Sequence, residues 1–352
     1  MSKTHPASRE DVVLSRRGVA GHILLNRPHA LNAITYEMLQ AMSAALRDWS
    51  ADDDVQLVVI EGAGERAFAA GGDIQQIYAH GLEDNFQPAA DYFTAEYRLD
   101  AQIANFPKPY VALMDGIAMG GGVGVSSNGS HAIVTERTLV AMPECGIGLV
   151  PDAGGSYIMA KAPGRLGEYC GLTGARLGPA DAIEMGFAST FVPAAGLGVL
   201  YDELCETGDI TAIERAATTP PPGVLAGWRA VIDDAFAASD VPAIIARLHA
   251  LGDTPPAQQA LNAIRRGSPL SLVSALEIIR RNRNAQSIEE GLALEYRFTH
   301  RALEHADFRE GVRAAVIDKD RRPKWSDPDP SSVSPERVAA MLAPPAAGEW
   351  TA

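Results

Sequence analysis

Apolar residues follow two different spacings along the first part of the chain. Continuous apolar runs predict strands over residues 19–26 and 55–61, and the second run is typical of a strand buried on both faces. Between them, apolar side chains recur at helical spacing and predict a helix over residues 35–49. A further apolar run predicts a strand at Tyr110–Met114. Strands that alternate with helices in this way indicate an α/β fold.

The pattern changes beyond residue 205, where helical segments are separated by proline-rich breaks. Ser268, which precedes a proline, predicts the start of one helix, and Ser287 predicts the start of another through a capping box with Glu290. We therefore expect an α/β core over residues 10–205 and a helical C-terminal region over residues 206–352. The C-terminal region is expected to pack on the core or on a neighbouring subunit.

The amino-acid composition argues against some classes of binding partner. The 352-residue chain is 47% hydrophobic and 21% charged, which is typical of a globular protein. Its net charge of −14, from 30 basic and 44 acidic residues, argues against nucleic acid or an anionic membrane as a partner. The N-terminus lacks an apolar signal segment, and no apolar run reaches the ~18 residues of a membrane span. We therefore expect a cytoplasmic protein.

Two glycine-rich turns are candidate binding elements. They occupy residues 68–73 (FAAGGD) and 118–124 (AMGGGVG), in two separate parts of the predicted core. Glycine permits close approach of the backbone to a ligand, and two such turns can each direct one N–H at the same point, as in an oxyanion hole. The alternative is a structural role for each turn, in a tight bend or in helix–sheet packing.

Other common functional motifs are absent from the sequence. The glycines do not match the dinucleotide-binding pattern G-x-G-x-x-G, and there is no P-loop and no G-x-S-x-G nucleophile elbow. Neither the 8 histidines nor the 3 cysteines have the spacing of a metal site. A serine triad, a structural zinc site and a P-loop are therefore disfavoured, and no metal is expected.

Two acidic residues lie among glycines and apolar residues in the segment PECGIGLVPDAGG. Glu144 and Asp152 either cap turns or take part in acid–base chemistry, since burial would raise the pKa of a carboxylate towards a useful value. Glu96 and the arginines of residues 280–283 lie in predicted helices, and their pattern is that of solvated charges.

Four ordered motifs resemble the crotonase, or enoyl-CoA hydratase/isomerase, superfamily. They are NRPHALNAI (26–34), AFAAGGDI (67–74), DGIAMGGGVG (115–124) and PECGIGLVPDAGG (143–155). The resemblance implies a right-handed spiral of ββα turns followed by C-terminal helices. It also implies an acyl-CoA ligand whose thioester oxygen is held by two backbone N–H groups.

The resemblance assigns expected roles to residues of this chain. It implies an oxyanion hole at Gly72 and Gly121 and catalytic carboxylates at Glu144 and Asp152. The expected substrate-binding residues are Gly71, Asp73, Glu96 and Gly120, and the residues expected to line CoA are Arg27, His29, Ala30, Arg66, Ala67 and Ala69. Coenzyme A is part of the substrate in this interpretation, and no separate cofactor is expected.

At two positions within the motifs, the residues of this chain resemble those of one subgroup, the 3-hydroxyisobutyryl-CoA hydrolases, and differ from those of hydratases. Gly124 stands where hydratases carry the first of two glutamates, and Asp152 replaces a glycine of the hydratase P-G-A-G-G turn. The later EYR (295–297) and the segment DFREGVRAAVIDKDRRPKW (307–325) extend this likeness into the helical region. The resemblance thus implies a thioester hydrolase of valine breakdown, with Asp152 binding the 3-hydroxyl group of the substrate.

Several alternatives stay open at the level of sequence. Glu144 is either a nucleophile that forms an anhydride or a general base for water. The rival functions are an enoyl-CoA hydratase or isomerase with rearranged acids, and a non-catalytic acyl-CoA-binding protein. Residues 79–90 have a less regular pattern, which predicts an irregular segment, and whether this segment forms a lid is undecided. The acyl-chain preference and a homo-oligomeric state are also undecided.

Overall fold

The computed structural model describes residues 10–346 and 348–352. In this part of the chain the strands are β1 (Val12–Arg17), β2 (Ala20–Leu25), β3 (Leu57–Gly62), β4 (Ala67–Ala69), β5 (Tyr110–Met114), β6 (Ile117–Met119), β7 (His131–Val134), β8 (Leu139–Ala141) and β9 (Thr190–Phe191). Short 3-10 turns lie at Pro28–Ala30, Glu144–Ile147, Ala194–Gly196 and Pro330–Ser332, and a π-helical turn lies at Arg313–Ile317.

Helices make up most of the remaining described chain. They are α1 (Tyr36–Ala51), α2 (Ile74–Leu82), α3 (Gln87–Ala104), α4 (Gly121–Ser127), α5 (Gly155–Lys161), α6 (Leu166–Thr173), α7 (Pro179–Met185), α8 (Leu197–Thr207), α9 (Thr211–Ala216), α10 (Leu225–Phe236), α11 (Val241–Ala250), α12 (Pro255–Ile264), α13 (Pro269–Asn282), α14 (Ile288–His305), α15 (Phe308–Val312) and α16 (Pro335–Met341). Among the described residues, no helix combines the length and the apolar composition that a bilayer span requires.

Six strands form the larger sheet, in the order β1-β2-β3-β5-β7-β9. β1 and β2 pair antiparallel, and each later strand pairs parallel with its neighbour. Strands inside a parallel sheet are covered on both faces, and β5 is accordingly buried at every position. Val59, Val111 and Ile133 of the sheet form one buried cluster with Leu200 and Leu204 of α8. The continuous apolar runs of the sequence are explained by this double burial.

A second sheet positions the glycine-rich turns. Its order is β4-β6-β8, and β4 is parallel to β6 with Ala69 opposite Ala118. Neighbouring parallel strands run in the same direction, so their carboxyl ends lie at the same edge of the sheet. The two glycine-rich turns directly follow these two strands and therefore begin side by side.

The chain divides into two compact units. The first, here called the sheet unit, comprises the described residues up to Asp73, Ala95–Val140 and Arg176–Gly223, and it contains the six-stranded sheet. The second, here called the helical unit, comprises Ile74–Thr94, Ala141–Ala175 and Val224–Ala352. The boundary that we predicted at residue 205 stays a prediction.

The helix starts that the sequence predicts are present. Thr35 precedes α1 and its hydroxyl accepts a hydrogen bond from the Met38 N–H at 3.3 Å. Ser287 likewise caps α14 through the Glu290 N–H at 3.4 Å. The reciprocal bond differs from the usual capping box, because the Glu290 carboxylate accepts from the Gln286 N–H at 2.9 Å. The cap therefore extends one residue further back than predicted.

The segment at residues 79–90 is more regular than the sequence pattern indicates. We expected an irregular stretch here, yet α2 continues to Leu82 and α3 already begins at Gln87. The reason lies in packing, since Ile77 and Gly81 are buried and a side chain at Gly81 would meet Leu303 of α14. Whether this segment opens as a lid stays a prediction.

The arginines of residues 280–283 do not form a uniformly solvated face. Arg280 donates to the carbonyl groups at the C-terminal end of α10, and Arg283 binds the buried Glu168 at 2.9 Å. Arg281 matches the expectation, because it is exposed and pairs with a glutamate one helical turn away. The carbonyl groups at the C-terminal end of a helix need hydrogen-bond donors, and a buried carboxylate needs a positive partner. The sequence around Arg280 and Arg283 does not show that these residues meet such groups.

Candidate functional site

The first glycine-rich turn is held by the chain that precedes α1. The Ile34 N–H donates to the Gly71 carbonyl at 2.9 Å, and the Asp73 N–H donates to the Ile34 carbonyl at 2.8 Å. Gly71 has a φ of 101°, which favours glycine. The N–H of Gly72, between these two residues, takes no part in this pairing. It is one of the two predicted oxyanion donors.

Asn32 anchors the start of β4, the strand that leads into this turn, and it was not among the residues predicted from the sequence. Its side chain is fully buried and its Nδ2 donates to the carbonyls of Ala63 and Ala67, both at 2.9 Å. Its Oδ1 accepts from the Arg27 N–H at 2.9 Å. The backbone of Asn32 has a φ of 56°, a conformation that asparagine adopts more readily than most residues. An asparagine within the NRPHALNAI motif was the available signal.

The second glycine-rich turn leads into α4. Gly120 has φ 51° and ψ −126°, a backbone conformation essentially restricted to glycine. Gly121 is the first residue of α4, so its N–H has no acceptor within the helix. A side chain at Gly122 would collide with the carbonyl of Ala69, which explains why glycine is needed where α4 approaches β4.

The two turns meet beside Glu96. A Cβ atom added to Gly121 would lie 3.6 Å from the Gly72 nitrogen and would collide with Oε1 of Glu96. A Cβ atom added to Gly71 would lie 3.8 Å from the Gly121 nitrogen. Glu96 is only 3% exposed, so its interpretation as a solvated helix charge is wrong. Two backbone donors and one carboxylate are thus gathered at one point of the sheet unit.

Arg27 and Asp73 are paired with each other. The guanidinium donates to Asp73 at 2.9 Å and to the Ala33 carbonyl at 2.6 Å. This ion pair links the first glycine-rich turn to the chain before α1, and the two opposite charges neutralise each other. The other residues expected along CoA differ in exposure: His29 and Arg66 are exposed, Ala30 is half-buried, and Ala67 and Ala69 are buried in β4.

Glu144 begins the 3-10 turn of the helical unit. The turn closes at Gly148, which has a φ of 76°, and the Leu149 N–H donates to the Glu144 carbonyl at 3.0 Å. The Glu144 side chain is 5% exposed. Burial and the Glu144 charge both raise the pKa of the neighbouring Cys145 thiol well above its usual range, burial being the larger cause. Cys145 is therefore a neutral buried residue.

The C-terminal motif DFREG supports this turn. A side chain at Gly148 would collide with the Asp307 backbone, and one at Gly311 would collide with the Ile147 backbone. Asp307 accepts a hydrogen bond from the Ser268 hydroxyl at 2.7 Å, and the Ser268 N–H donates to the carbonyl of Cys145 at 2.8 Å. The start of α13 and the DFREG segment thus hold the Glu144 turn from two sides.

Asp152 lies in a second strained turn of the helical unit. Ala153 and Gly154 have φ angles of 52° and 80°, and the Gly155 N–H donates to the Asp152 carbonyl at 2.7 Å. The Asp152 side chain is 4% exposed. Two successive left-handed residues are costly unless the surroundings hold them, and here the holding group comes from α14.

That group is Glu295, which sequence reasoning missed. It is fully buried, and its carboxylate accepts from the Gly154 N–H at 3.0 Å, the Ser156 N–H at 3.1 Å and the Ser156 hydroxyl. Burial raises the pKa of Glu295 to about 8, and the charge of Asp152 adds to this rise against the opposing hydrogen bonds. In the sequence, Glu295 belongs to the EYR segment (295–297) that is part of the resemblance to the hydrolase subgroup, but that resemblance assigned no role to it.

No cluster of three or more metal-ligating side chains occurs in the described part of the chain. The candidate groups are therefore of two kinds. The sheet unit presents backbone donors beside Glu96, and the helical unit presents the buried carboxylates Glu144 and Asp152. These groups are suited to polarising a carbonyl oxygen and to moving protons.

The class of protein follows from three features: the parallel strands, the glycine-rich turns that follow them and the helical C-terminal region. Together they define an enzyme of the crotonase fold. The chain belongs to the enoyl-CoA hydratase/isomerase family, whose model matches residues 20–342. The fold and the family resemblance that the sequence indicated are thereby confirmed.

Similar proteins carry names of two kinds. The chain is 39% identical over 343 residues to the mitochondrial 3-hydroxyisobutyryl-CoA hydrolase of Rattus norvegicus, covering 93% of this chain and 87% of the relative. It is 37% identical to the Homo sapiens protein of the same name over 348 residues, covering 96% and 89%.

Two solved structures have nearly the same fold as this chain. The enoyl-CoA hydratase of Rhodobacter sphaeroides 2.4.1 is 49% identical, with a TM-score of 0.93 and coverage of 97% of this chain and 99% of that one. The carnitinyl-CoA dehydratase of Mycobacterium thermoresistibile is 41% identical, with a TM-score of 0.92 and coverage of 96% and 98%. The relatives agree on an acyl-CoA ligand in their names but not on one reaction.

Proposed function

We propose that this protein hydrolyses 3-hydroxyisobutyryl-CoA to 3-hydroxyisobutyrate and free CoA, in the cytoplasm and as a step of valine breakdown. The observation that carries the proposal is the identity of its acidic groups. Gly124, buried in α4, brings no carboxylate where hydratases are expected to have one, whereas Glu144 and Asp152 are both buried carboxylates. The hydrolase names of the relatives in rat and human support the same reaction.

In this mechanism the N–H groups of Gly72 and Gly121 donate to the thioester oxygen. The two nitrogens are brought together where the glycine-rich turns meet. Charge develops on that oxygen as the carbonyl carbon becomes tetrahedral, and preorganised donors stabilise it most in that state. Gly71 and Gly120 supply the backbone conformations that orient these donors, and Glu96 contacts the acyl group beside them.

Glu144 supplies the second chemical element. It either attacks the thioester carbon and forms an anhydride that water then hydrolyses, or it takes a proton from the attacking water. The CoA thiolate leaves with a pKa of ~8.5 for its conjugate thiol, so it needs little help from a general acid. Asp152 accepts a hydrogen bond from the 3-hydroxyl group of the substrate. CoA is part of the substrate, and we propose no further cofactor.

The first test is release of free thiol from short 3-hydroxyacyl-CoA esters. We expect release from 3-hydroxyisobutyryl-CoA above the uncatalysed background. Binding of the ester without any turnover would contradict the proposal and would favour a non-catalytic acyl-CoA-binding protein.

Glu144→Gln tests the acid–base role. We expect turnover to fall by about 10²–10⁴, the usual contribution of a positioned base or nucleophile. Glu277→Gln is the matched control, because Glu277 is exposed on α13 and pairs with Arg281. Hydrolysis that survives intact in Glu144→Gln would sink the role proposed for this residue.

Asp152→Asn tests substrate recognition. The preference for 3-hydroxyisobutyryl-CoA over isobutyryl-CoA should fall by about 10- to 100-fold, since a hydrogen bond to a charged group is worth ~1.5–3 kcal/mol. An unchanged preference, with both rates lowered equally, would place Asp152 away from the 3-hydroxyl group.

Hydration of an enoyl-CoA is the second candidate function, because two similar solved structures carry hydratase and dehydratase titles. A hydratase consumes the enoyl absorbance and releases no thiol. Parallel incubation with crotonyl-CoA and 3-hydroxyisobutyryl-CoA therefore separates the two reactions in one experiment.

A further inference from the structure

A serine, a histidine and a glutamate lie side by side on the six-stranded sheet, and the proposed reaction gives none of them a role. Ser15 of β1 is directly opposite His22 of β2, and Glu61 of β3 is opposite Leu24, two residues further along β2. Alternate positions of a strand share a face, so the three polar side chains lie on the same face of the sheet. All three residues belong to the sheet unit.

Two hydrogen bonds join these side chains. Nε2 of His22 lies 3.0 Å from Oε1 of Glu61, and Nδ1 of His22 lies 3.4 Å from the hydroxyl oxygen of Ser15. An ionised carboxylate only accepts, so Nε2 carries the ring proton and Nδ1 accepts from the Ser15 hydroxyl. A hydroxyl, a base and a carboxylate that orients the base form the arrangement that activates a serine nucleophile.

The base is shielded from water, whereas the hydroxyl is accessible. His22 is 5% exposed, and Tyr201 of α8 packs on its ring with the two ring centroids 5.3 Å apart. Ser15 is half-buried and lies on β1, which is an edge strand of the sheet. A reagent can therefore reach the serine oxygen while the imidazole stays covered.

Arg17 supplies a positive charge to this cluster. It follows Ser15 by two residues on β1, and its side chain is therefore on the same face. Burial raises the pKa of the Tyr201 hydroxyl above its usual range, and the charge of Arg17 opposes this rise. A cation beside Ser15 can stabilise the oxyanion that forms when the serine attacks an acyl carbon.

We propose that Ser15, His22 and Glu61 form a second nucleophilic site, at which Ser15 takes up the acyl group of an acyl thioester. Nδ1 of His22 accepts the Ser15 hydroxyl proton, the serine oxygen bonds to the acyl carbon and the carbon–sulfur bond breaks. The leaving thiolate takes the proton from His22. Water then hydrolyses the acyl-serine by the same route: His22 takes a proton from water, and the serine oxygen regains it as it leaves. Glu61 stabilises the imidazolium in both steps.

This site is separate from that of the proposed function, because Glu144, Asp152 and the two glycine donors take no part in it. A thioester is a suitable acyl donor, since its thiol has a pKa of ~8.5 and leaves with little help from a general acid.

Another Ser–His pair of the sheet unit is a matched control. Ser130 is exposed and its hydroxyl oxygen lies 2.9 Å from Nδ1 of His131, closer than Ser15 lies to His22. The Ser130 hydroxyl also donates to the Tyr110 carbonyl at 3.2 Å, and within the described residues no carboxylate binds His131. If accessibility alone determined reactivity, Ser130 would react before Ser15.

An alkyl fluorophosphonate tests the nucleophile, because the serine oxygen displaces fluoride from phosphorus and the adduct is stable. We expect a single adduct on the wild type, located at Ser15 by mass spectrometry of its peptides. Ser15→Ala should lose this adduct and Ser130→Ala should keep it. Absence of an adduct from the wild type, or an adduct at Ser130 instead, would overturn the proposal.

The rate of adduct formation tests the other two residues. His22→Gln should slow labelling by about 10²–10⁴, the usual contribution of a positioned base, and Glu61→Gln should slow it as well. Glu65→Gln, an exposed residue just beyond β3, should match the wild type. If thermal unfolding shows that His22→Gln does not fold, Glu61→Gln decides, because its side chain is 35% exposed. Equal labelling rates in Glu61→Gln and the wild type would contradict the proposal.

Thiol release from isobutyryl-CoA tests the acyl donor. A residual rate above the uncatalysed background should remain in Glu144→Gln and disappear when Ser15→Ala is added. A residual rate that persists in the double variant, or that is absent from Glu144→Gln, would refute a thioester as the substrate of this site. Failure of the proposed function would appear differently, as an undiminished rate in Glu144→Gln, and would leave the labelling of Ser15 unaffected.

Discussion

The two units of this protein supply chemically different groups. The sheet unit offers backbone N–H groups of Gly72 and Gly121, which the parallel strands β4 and β6 place side by side. The helical unit offers the side chains of Glu144 and Asp152, which hydrogen bonds from remote helices hold in buried turns. A backbone N–H group does not change its protonation with pH, whereas a carboxylate does.

The two units also position their functional groups through different kinds of contact. In the sheet unit, parallel strand pairing and glycine conformation bring the backbone donors together, and the chain before α1 and Glu96 of α3 contact them. In the helical unit, each acid depends on residues more than a hundred positions away, such as Ser268 and Asp307 for the Glu144 turn and Glu295 for the Asp152 turn. We therefore expect substitutions in the two units to differ in their pH dependence.

Gly121→Ala should have the largest effect. A methyl group there would collide with the Glu96 carboxylate and displace a donor that lies beside the Gly72 nitrogen. Loss of one oxyanion donor typically lowers the rate by ~10²–10³. The loss should be the same from about pH 6 to 8, which steady-state kinetics will check, because no titrating group is removed. Gly198→Ala is the control, since a Cβ atom at Gly198 meets no atom within 4 Å.

Asn32→Ala should be the next largest change, and it should act on stability. It leaves the Ala63 and Ala67 carbonyls and the Arg27 N–H without their partner and places alanine at a φ of 56°. We expect a loss of about 3 kcal/mol in the free energy of unfolding by urea titration. Asn26→Ala, which removes one exposed hydrogen bond, should cost less than ~1 kcal/mol. Equal losses in the two variants would refute the anchoring role of Asn32.

Gly311→Ala tests the support of the Glu144 turn by the DFREG segment. The added methyl group would collide with the backbone of Ile147, so the turn or α15 must move. Overpacking of this kind costs ~1–3 kcal/mol, and we expect a loss of about 2 kcal/mol together with a lower kcat. Gly227→Ala on α10 meets no neighbouring atom and should preserve both quantities. A stable Gly311→Ala variant with full activity would show that the segment is not needed.

The smallest effect concerns pH-dependent stability. The pKa of Glu295 is raised from 4.5 to about 8 in the folded protein, so the folded state holds a proton that the unfolded chain has released between these values. Stability must therefore fall as pH rises through this interval, by about 1 kcal/mol between pH 7 and 8. Glu295→Gln should lack this component in urea titrations at the two pH values, and an equally steep fall would contradict it.

Features that depend on nearby residues were predictable from sequence. The apolar runs predicted β5 with its observed bounds, and the caps at Thr35 and Ser268 follow from one side chain and the N–H three residues later. The glycine-rich turns could be located as well, because few other residues adopt the backbone of Gly71 or Gly120.

Features that depend on burial could not be predicted. Glu96 has the sequence context of a solvated helix charge, and only the packing of α3 places its carboxylate at Gly121. The arginines of residues 280–283 look alike in sequence, yet Arg280 and Arg283 serve a helix end and the buried Glu168. Hairpin strand β1 was missed because its residues are only partly buried.

The sequence by itself determined the family, the α/β order of the core, the two glycine-rich turns and the candidate acids Glu144 and Asp152. These are local signals, set by backbone conformation and side-chain type at neighbouring positions. Only the tertiary structure decided that the Gly72 and Gly121 nitrogens lie together, that Asn32 anchors the start of β4 and that Glu295 holds the turn after Asp152. These contacts join distant segments, and their energy depends on burial, which no local pattern records.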